Sequence, residues 1–388
     1  MKTLTALLLA ALATGVSPAQ AQATIKIGFV AELSGPQGVL GTDQYDAFML
    51  AVEKKGGKLG GAPVQVIKED SKLKPEIGVQ AVEKLIEREG VQIITGITFS
   101  NIMMAVLKPV TEKEVFLVGS NAGPAPAAGA ECSPYLFMTS WQNDMQSEVV
   151  GKYATERGYK KVIALAPNYQ AGKDYIEGFK RYFEGQIVDE IYTPLNQPDF
   201  SAELTRVAAT QPDAVFIFYP GGLGINFVRQ YKQLGLSETI PLLTVATIDG
   251  TTLPAMQEAA LGVKVGSYWS PDLPVPENEQ FIKAFQEKYG RVPSQYAAQS
   301  YDAALLIDSA IAQVGGDLSD KQAFMSAMKK ADFKSTRGAF RFGNNNFPIQ
   351  DMHILHVVKE DDGTIALKTF GTPLKDHQDS YHQECPMG

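Results

Sequence analysis

The alternation of short apolar runs with residues at helical spacing is the feature that most constrains the fold, and it is clearest between Val91 and Pro124. An apolar run at 91–95 leads into the loop 96–101 and then into a segment with helical periodicity. A second apolar run at 115–118 leads into the loop 119–124. Runs of this kind are typical of buried parallel strands. A parallel sheet brings the loops after its strands to one edge, where open α/β folds bind ligands.

The same rhythm extends over most of the chain. It begins with a strand at 24–31 and a glycine-rich loop at 32–41, after which Thr42 is expected to cap a helix. After Trp141 the rhythm restarts, and a chain of 388 residues is longer than one hydrophobic core usually serves. Repeated strand–helix units favour right-handed crossovers and a mainly parallel sheet. The sequence therefore predicts an α/β protein with two doubly wound parallel-sheet lobes.

Residues 1–23 have the features of a secretory signal peptide. Lys2 supplies a positive start, and the apolar stretch 4–13 is too short to span a bilayer. Small-residue patterns predict cleavage after Ala21 or Ala23. Because no cysteine lies at that junction, we expect a soluble exported protein rather than a lipoprotein.

Charge and cysteine content narrow the possible partners and the compartment. The formal net charge of −8 argues against nucleic acid and anionic membranes as partners. The only two cysteines, Cys132 and Cys385, are expected to form a disulfide in an exported chain. Two free buried thiols are the alternative.

The known catalytic and cofactor motifs are missing from the sequence. It contains no P-loop, no complete dinucleotide-binding glycine motif, no zinc-protease motif and no serine-hydrolase elbow. His353 and His356 lie three apart on a predicted strand and so face opposite sides, while His377 and His382 fall in a polar tail where we expect them to be solvated. We therefore expect neither an enzyme, nor a cofactor, nor a metal site.

The two loops at 96–101 and 119–124 are candidates for an anion site. Hydroxyl groups and free backbone N–H groups converge where the first loop opens a helix, which suits a carboxylate. The alternative is that Ser100 only caps that helix and that Ser120 and Asn121 only make a turn.

An ordered series of short motifs carries a resemblance to a known family. The motifs are Ile27-Gly28, Ser34-Gly35-Pro36 with Gly41, Ile94-Thr95-Gly96 through Ser100, Val118 through Ala122, Tyr169-Gln170-Ala171-Gly172, and Tyr301-Asp302-Ala303. With the two-lobe rhythm, they make the chain similar to the type I periplasmic solute-binding proteins of the branched-chain amino acid-binding family, which serve ABC importers. The resemblance covers nearly the whole chain after residue 23.

The resemblance implies a specific architecture and set of partners. It implies three crossovers between the lobes, so that lobe 1 is 24–141 plus 272–347 and lobe 2 is 142–271 plus 348–388. It also implies a monomer in the periplasm that delivers a small-molecule ligand to a membrane permease.

The resemblance further implies how an amino acid ligand would be held. The ligand carboxylate would meet Ser100 and the backbone N–H of Ala122. The ammonium would need a hydroxyl where this chain has Pro124, and an acid in the loop 245–249, where Asp249 is displaced by about three positions. Burying an ammonium without its charged partner costs several kcal/mol. We therefore expect that the site keeps the groups that bind a carboxylate and has lost those that bind an ammonium.

Bulky residues complete the expected site, and this pattern is similar to the subgroup that captures aromatic carboxylates. The expected ligand-binding residues are Leu40, Phe99, Ser100, Asn101, Ala122, Gly123, Tyr169, Tyr219, Thr247 and Trp269. We expect capture of benzoate, hydroxybenzoate or phenylpropanoid acids by closure of the lobes. The alternatives are a branched-chain amino acid held through Asp249, an amide, or a role as the ligand-sensing partner of a receptor.

Overall fold

The computed structural model describes residues 23–387. The predicted signal peptide, except for its last residue, lies outside the described residues. Across 23–387, no helix combines the length and the hydropathy that crossing a membrane requires.

The first sheet has six strands in the order β2-β3-β1-β4-β5-β6, and all its pairings are parallel except that of the edge strand β2. Its strands are β1 (Ile25–Ala31), β2 (Lys58–Leu59), β3 (Ala62–Asp70), β4 (Ile93–Gly96), β5 (Phe116–Gly119) and β6 (Leu136–Met138). The helices in this part of the chain are α1 (Gly38–Lys54), α2 (Pro75–Glu87), α3 (Ser100–Thr111) and α4 (Ala125–Ala128).

The chain then builds five parallel strands of a second sheet. These are β7 (Lys161–Pro167), β8 (Gln186–Thr193), β9 (Ala214–Ile217), β10 (Leu242–Val245) and β11 (Lys264–Ser267). The helices between them are α5 (Asn143–Glu156), α6 (Gln170–Tyr182), α7 (Ser201–Thr210), α8 (Gly222–Gln233) and α9 (Leu253–Met256), with short 3₁₀ turns at Leu236–Glu238 and Gln257–Ala260.

The chain returns to the first sheet and then completes the second. The returning helices are α10 (Pro276–Tyr289), α11 (Gln295–Gln313) and α12 (Lys321–Lys330), and α11 packs along α1. The last strands are β12 (Arg341–Phe342), β13 (Pro348–Lys359) and β14 (Ile365–His377), followed by a 3₁₀ turn at His382–Glu384. These three strands pair antiparallel, so the order is β12-β13-β11-β10-β9-β7-β8 with β14 on β13.

The α/β prediction is confirmed: two sheets, each mainly parallel, are connected by three passages of the chain. We call the first sheet with α1–α4 and α10–α12 the first lobe, and the second sheet with α5–α9 the second lobe. The predicted boundaries at 141 and 271 fall in passages between the sheets. The predicted boundary after residue 347 does not, because β12 comes before it and already pairs with β13 of the second sheet.

Two local predictions were wrong. Helix α1 begins at Gly38 rather than Thr42, and its first turn lies against the backbone of Glu32 and Leu33 that follows β1. A Cβ on Gly41 would lie 1.9 Å from the carbonyl oxygen of Glu32, so only glycine permits this approach. The strands β6 and β11 were missed because strands of only three or four residues give little periodicity.

The disulfide prediction is confirmed, and the alternative of free thiols is excluded. Cys132 and Cys385 are bonded across a sequence separation of 253 residues, with a Cα–Cα distance of 5.6 Å. Cys132 precedes β6 in the first lobe and Cys385 follows the last strand of the second sheet. The tail is therefore covalently attached to the first lobe.

Candidate ligand-binding site

A small cavity lies between the lobes, where the carboxyl ends of β4 and β5 face those of β7 and β9. Fourteen residues line it: Leu40, Thr98, Phe99, Ser100, Asn121, Ala122, Trp141, Asn143, Tyr169, Ala171, Tyr175, Phe218, Pro220 and Tyr296. Both lobes and the first connection between them contribute. We call this cavity the cleft.

Hydrogen-bond donors gather on the first-lobe side of the cleft. Ser100 is the first residue of α3, and Phe99 rather than Ser100 occupies the N-cap position. Asn143 Nδ2 donates to Ser100 Oγ at 3.1 Å, which leaves the serine hydroxyl hydrogen available for an acceptor in the cleft. The alternative that Ser100 only caps its helix is therefore wrong. The unpaired N–H groups at the start of α3 favour an anion there.

The backbone next to the cleft is strained at three places. Ile97, Ala122 and Ala246 have φ values of +64°, +53° and +46°, a region that residues with a Cβ rarely adopt. These residues follow β4, β5 and β10 at the edge of the sheets that faces the cleft. Strain of this kind costs of order 1–3 kcal/mol per residue and clusters at functional sites.

Aromatic rings form the opposite wall. The Tyr169 ring stacks on Phe218 with centroids 6.1 Å apart and lies 6.2 Å from Phe99. Tyr175 lies 4.2 Å from Phe218, and its hydroxyl accepts a hydrogen bond from Trp141 Nε1 at 3.0 Å. Burial raises the pKa of Tyr169 well above its ordinary value, so the phenol remains neutral. This wall offers flat apolar surface.

No residue that lines the cleft carries a charge. The lining set contains no Asp, Glu, Lys, Arg or His. The carboxylate of Asp174 lies behind Asn143 and accepts hydrogen bonds from Asn143 Nδ2 at 2.8 Å, Gln170 Nε2 at 2.7 Å and the backbone N–H of Ala125 at 3.2 Å. Burial raises the pKa of Asp174, and these three donors lower it. The oxygens of Asp174 are thus already occupied by donors within the protein.

The structure brings five of the ten expected ligand-binding residues together in the cleft: Leu40, Phe99, Ser100, Ala122 and Tyr169. Asn101 is half-buried on α3 and does not line the cleft. Gly123 packs instead against the backbone of Trp141, so closely that a Cβ on Gly123 would lie 1.9 Å from the carbonyl oxygen of Trp141.

Tyr219 lies in the core of the second lobe rather than in the cleft. Its ring packs against Phe200 at 4.8 Å and Phe227 at 5.2 Å, and its hydroxyl accepts a hydrogen bond from Thr193 at 3.2 Å. The neighbouring residue Phe218 lines the cleft instead. Successive side chains along an extended chain point to opposite faces, so the expectation was displaced by one residue.

Thr247 and Trp269 also lie outside the cleft. Thr247 Oγ1 donates to the carbonyl of Val245 at 2.9 Å and accepts from the backbone N–H of Tyr219 at 2.9 Å, so it supports the loop after β10. Trp269 Nε1 donates to Asn278 Oδ1 at 2.8 Å, and its ring lines a second cavity. Asp249 lines that second cavity too, not the cleft.

Nine lining residues were not among the ten expected ligand-binding residues, although the first two lie in the candidate loops: Thr98, Asn121, Trp141, Asn143, Ala171, Tyr175, Phe218, Pro220 and Tyr296. Alternation along the chain after β9 could have found Phe218. Trp141, Asn143 and Tyr296 lie at the connection between lobes and at the start of α11, so their position depends on the docking of the lobes rather than on any local pattern.

Two of the remaining expectations concern histidine and metal. His377 is not solvated, because its Nε2 contacts the buried carboxylate of Glu148. Within 23–387, no group of three or more His, Cys, Asp or Glu side chains could hold a metal ion.

The chain matches a known family over most of its length. The family described as "Periplasmic binding protein" matches residues 24–364. The Leu/Ile/Val-binding protein homolog 6 of Brucella melitensis is 29% identical over 96% of this chain and 97% of its own length.

Solved structures are similar to the chain as well. A solute-binding protein of an ABC transporter from R. palustris, in complex with benzoate, superposes with a TM-score of 0.89 at 28% identity, covering 94% of this chain and 100% of its own. A second, from Rhodopseudomonas palustris BisB5 in complex with 3,4-dihydroxybenzoic acid, has a TM-score of 0.87 at 29% identity and covers 92% and 99%.

Proposed function

This chain belongs to the periplasmic binding protein family, and we propose that, as the substrate-binding protein of an ABC transporter, it captures small aromatic carboxylates. Benzoates, hydroxybenzoates and phenylpropanoid acids are the class we have in mind. Proteins of this family and fold are non-enzymatic components of transport.

The composition of the cleft carries the proposal. Six of its fourteen lining residues are aromatic, its polar groups are neutral, and no acid lines it. A carboxylate can be held by the Ser100 hydroxyl and by backbone N–H groups at the start of α3. An ammonium buried there would lack a charged partner, which costs several kcal/mol. The chemistry of the lining residues thus favours a flat anion over a zwitterion.

The similar proteins support aromatic acids as the ligand class, but they do not all bind the same kind of ligand. The two R. palustris proteins bind benzoate and 3,4-dihydroxybenzoate, whereas the Brucella relative is named for Leu/Ile/Val binding. A branched-chain amino acid is therefore the second candidate. It would need Asp249 to reach the ammonium, although Asp249 lines a different cavity.

The proposed mechanism is closure of the lobes around the ligand. Ser100 and Ala122 belong to the first lobe, and Tyr169 and Phe218 belong to the second, so only the closed arrangement provides both sets of contacts. The cleft measures about 20 Å³ here, room for little more than one water molecule. An aromatic acid therefore enters when the lobes part, and the closed complex is the form that the permease would recognise.

A thermal-shift panel on refolded protein tests the ligand class. It compares benzoate, 4-hydroxybenzoate and cinnamate with leucine, isoleucine and valine, and includes benzamide as an uncharged analogue of benzoate. A ligand at about 100 times its dissociation constant adds ~2.7 kcal/mol to the free energy of unfolding. We expect shifts with the aromatic acids and a much smaller one with benzamide. A shift with leucine but none with benzoate would overturn the proposal in favour of the amino acid.

A further inference from the structure

A second, larger cavity lies between the lobes, beside the connection from β11 to α10. We call it the hinge crevice; its volume is about 510 Å³, within the usual range for small-molecule sites. Leu253, Trp269 and Leu355 of the second lobe form one wall, and Ile282 and Val292 of the first lobe form the other. The crevice is mostly apolar and is separate from the cleft, with which it shares no lining residue.

The hinge crevice depends on the closed arrangement of the lobes. Gly250, at its edge, approaches the first lobe so closely that a Cβ there would lie 2.6 Å from the carbonyl oxygens of both Val292 and Pro293. Because the two walls come from different lobes, parting the lobes divides the crevice. A molecule that contacts both walls would therefore favour closure.

Asp249 places a buried carboxylate at the wall of the crevice. The side chain lines the crevice and is only 5% exposed. Its Oδ1 accepts hydrogen bonds from the Thr251 backbone N–H at 2.7 Å and from Thr251 Oγ1 at 2.6 Å. Its Oδ2 has no hydrogen-bond partner among residues 23–387. A buried carboxylate oxygen without a donor is costly, and a cation would satisfy it.

The negative charge beside Asp249 favours a cation there. Burial raises the pKa of Asp249 to about 6; hydrogen bonds from Thr251 and Thr252 lower it, and the charge of Asp43 raises it further. Asp43 itself pairs with Arg291 at 2.7 Å. Lys368 also lines the crevice, but its ammonium lies 3.6 Å from Glu360.

We propose that the hinge crevice is a second binding site, which takes a small organic cation with an apolar body, such as an alkylammonium or arylammonium ion. Its ammonium pairs with Asp249 and its apolar body fills the space between Trp269, Leu253 and Ile282. Because the site spans both lobes, its occupation stabilises the closed arrangement and tightens binding in the cleft.

Calorimetric titration with benzylammonium tests this proposal, with benzyl alcohol as the uncharged probe of the same shape. We expect benzylammonium to bind at least about tenfold more tightly than benzyl alcohol. Asp249→Asn, which keeps an acceptor for Thr251, should weaken benzylammonium binding about tenfold or more. Asp199→Asn is the matched control: this exposed carboxylate lies outside the crevice, and its Oδ1 accepts hydrogen bonds from the backbone N–H and the hydroxyl of Ser201, as Oδ1 of Asp249 does from Thr251. It should leave binding unchanged.

A second variant locates the site. Ala366 lines the crevice and is only partly buried, so Ala366→Trp fills the space without disturbing a core position, and should weaken benzylammonium binding about tenfold. Equal binding by wild type, Asp249→Asn and Ala366→Trp would overturn the proposal, as would no binding at about 10 mM or simple competition by benzoate. The variant comparison is made without benzoate, so the proposal can stand even if the cleft binds another ligand class.

Discussion

Two neighbouring residues at the start of α5 face two contrasting regions of the molecule. Asn143 lines the cleft, where its amide bonds Ser100. Asp144 faces the C-terminal tail, where its Oδ2 accepts hydrogen bonds from Arg181 at 2.8 Å and from the Tyr381 hydroxyl at 3.0 Å. The cleft has no charged lining residue, whereas the tail is held by buried charges.

We call the second region the tail anchor, consisting of Asp144, Glu148, Arg181, His377 and Tyr381. Glu148 accepts hydrogen bonds from Arg181 at 2.5 Å and from the Ser380 hydroxyl at 2.7 Å, and it contacts His377. The carboxylates of Asp144 and Glu148 are fully buried. The groups that pair with these two carboxylates belong to the same chain and stay in place whether or not a ligand is bound.

The contrast shows where buried charge can be tolerated. A buried ion pair that loses one partner is destabilised by about 3–5 kcal/mol. In the tail anchor both partners are always present, whereas a transported ligand must leave. Neutral donors in the cleft can return to water or to each other when the ligand departs, so this region avoids leaving an unpaired charge behind.

Removing the disulfide should have the largest effect on the free energy of unfolding, and it should leave ligand binding in the cleft unchanged. Closing a loop with a sequence separation of 253 residues contributes about 5 kcal/mol in the chain-entropy model. We expect Cys132→Ala with Cys385→Ala to lower the free energy of unfolding by about that amount in urea denaturation, and wild type in reductant to match it. Benzoate affinity of the folded protein should be unchanged. Equal stability of oxidised and reduced wild type would contradict this prediction, and a lost affinity would show that the two regions are coupled.

Glu148→Gln should lower the free energy of unfolding by about 3 kcal/mol, because Arg181 and His377 lose the buried carboxylate that both of them contact. Chemical denaturation at pH 7 measures the loss. Glu156→Gln on the same helix is the control: this acid pairs with Lys152 at 3.1 Å in solvent, and its loss should cost less than about 0.5 kcal/mol. If both variants lost the same stability, the tail anchor would be no different from a surface ion pair.

The sequence revealed one side of the cleft better than the other. Ser100 and Ala122 follow strands with clear apolar runs, so their place at the sheet edge could be predicted. Tyr219 was predicted in place of Phe218, although alternation along the chain after β9, which ends at Ile217, could have distinguished the two residues. Trp141 and Tyr296 enter the cleft only through the docking of the lobes, for which no local pattern exists.

The tail anchor was largely invisible in the sequence. Cysteine count predicted the covalent link, yet the polar tail gave no sign that Glu148 would meet His377 across 229 positions. Buried charges have no periodic signature, since each depends on a partner from a distant segment. The two-lobe rhythm, by contrast, repeats locally and was predicted from the apolar pattern alone.

The pH dependence of stability should separate the two regions further. Burial and the charge of Asp174 raise the pKa of Asp144 to about 7, against the lowering effect of Gln142 and Arg181. In the unfolded chain this carboxyl ionises near its model value of 3.8. Between about pH 4 and 7 the folded protein therefore binds more protons, so its free energy of unfolding falls as the pH rises.

Asp144→Asn removes this contribution. Comparing urea denaturation at pH 5 and pH 8, we expect the loss of stability with rising pH to be about 2 kcal/mol smaller in the variant than in wild type. This is somewhat less than the ~2.6 kcal/mol that an isolated group with such a shift would contribute between these two pH values, because Arg181 and Tyr381 adjust with it. A variant with the pH profile of wild type would show that Asp144 is ionised throughout.

Ser100→Ala should have the smallest effect on stability and act on the cleft alone. It removes the hydroxyl that would donate to a ligand carboxylate, a charge-assisted hydrogen bond worth about 1.5 kcal/mol, so benzoate affinity should fall about tenfold. The free energy of unfolding should change by less than about 1 kcal/mol, since Asn143 Nδ2 keeps Asp174 as acceptor at 2.8 Å. Ser309→Ala is the control, because that hydroxyl bonds only the carbonyl of Leu306 in its own helix. Calorimetric titration of both variants decides the matter: an unchanged affinity in Ser100→Ala would mean that backbone groups alone hold the carboxylate. The cleft would then discriminate ligands by shape and by its lack of charge.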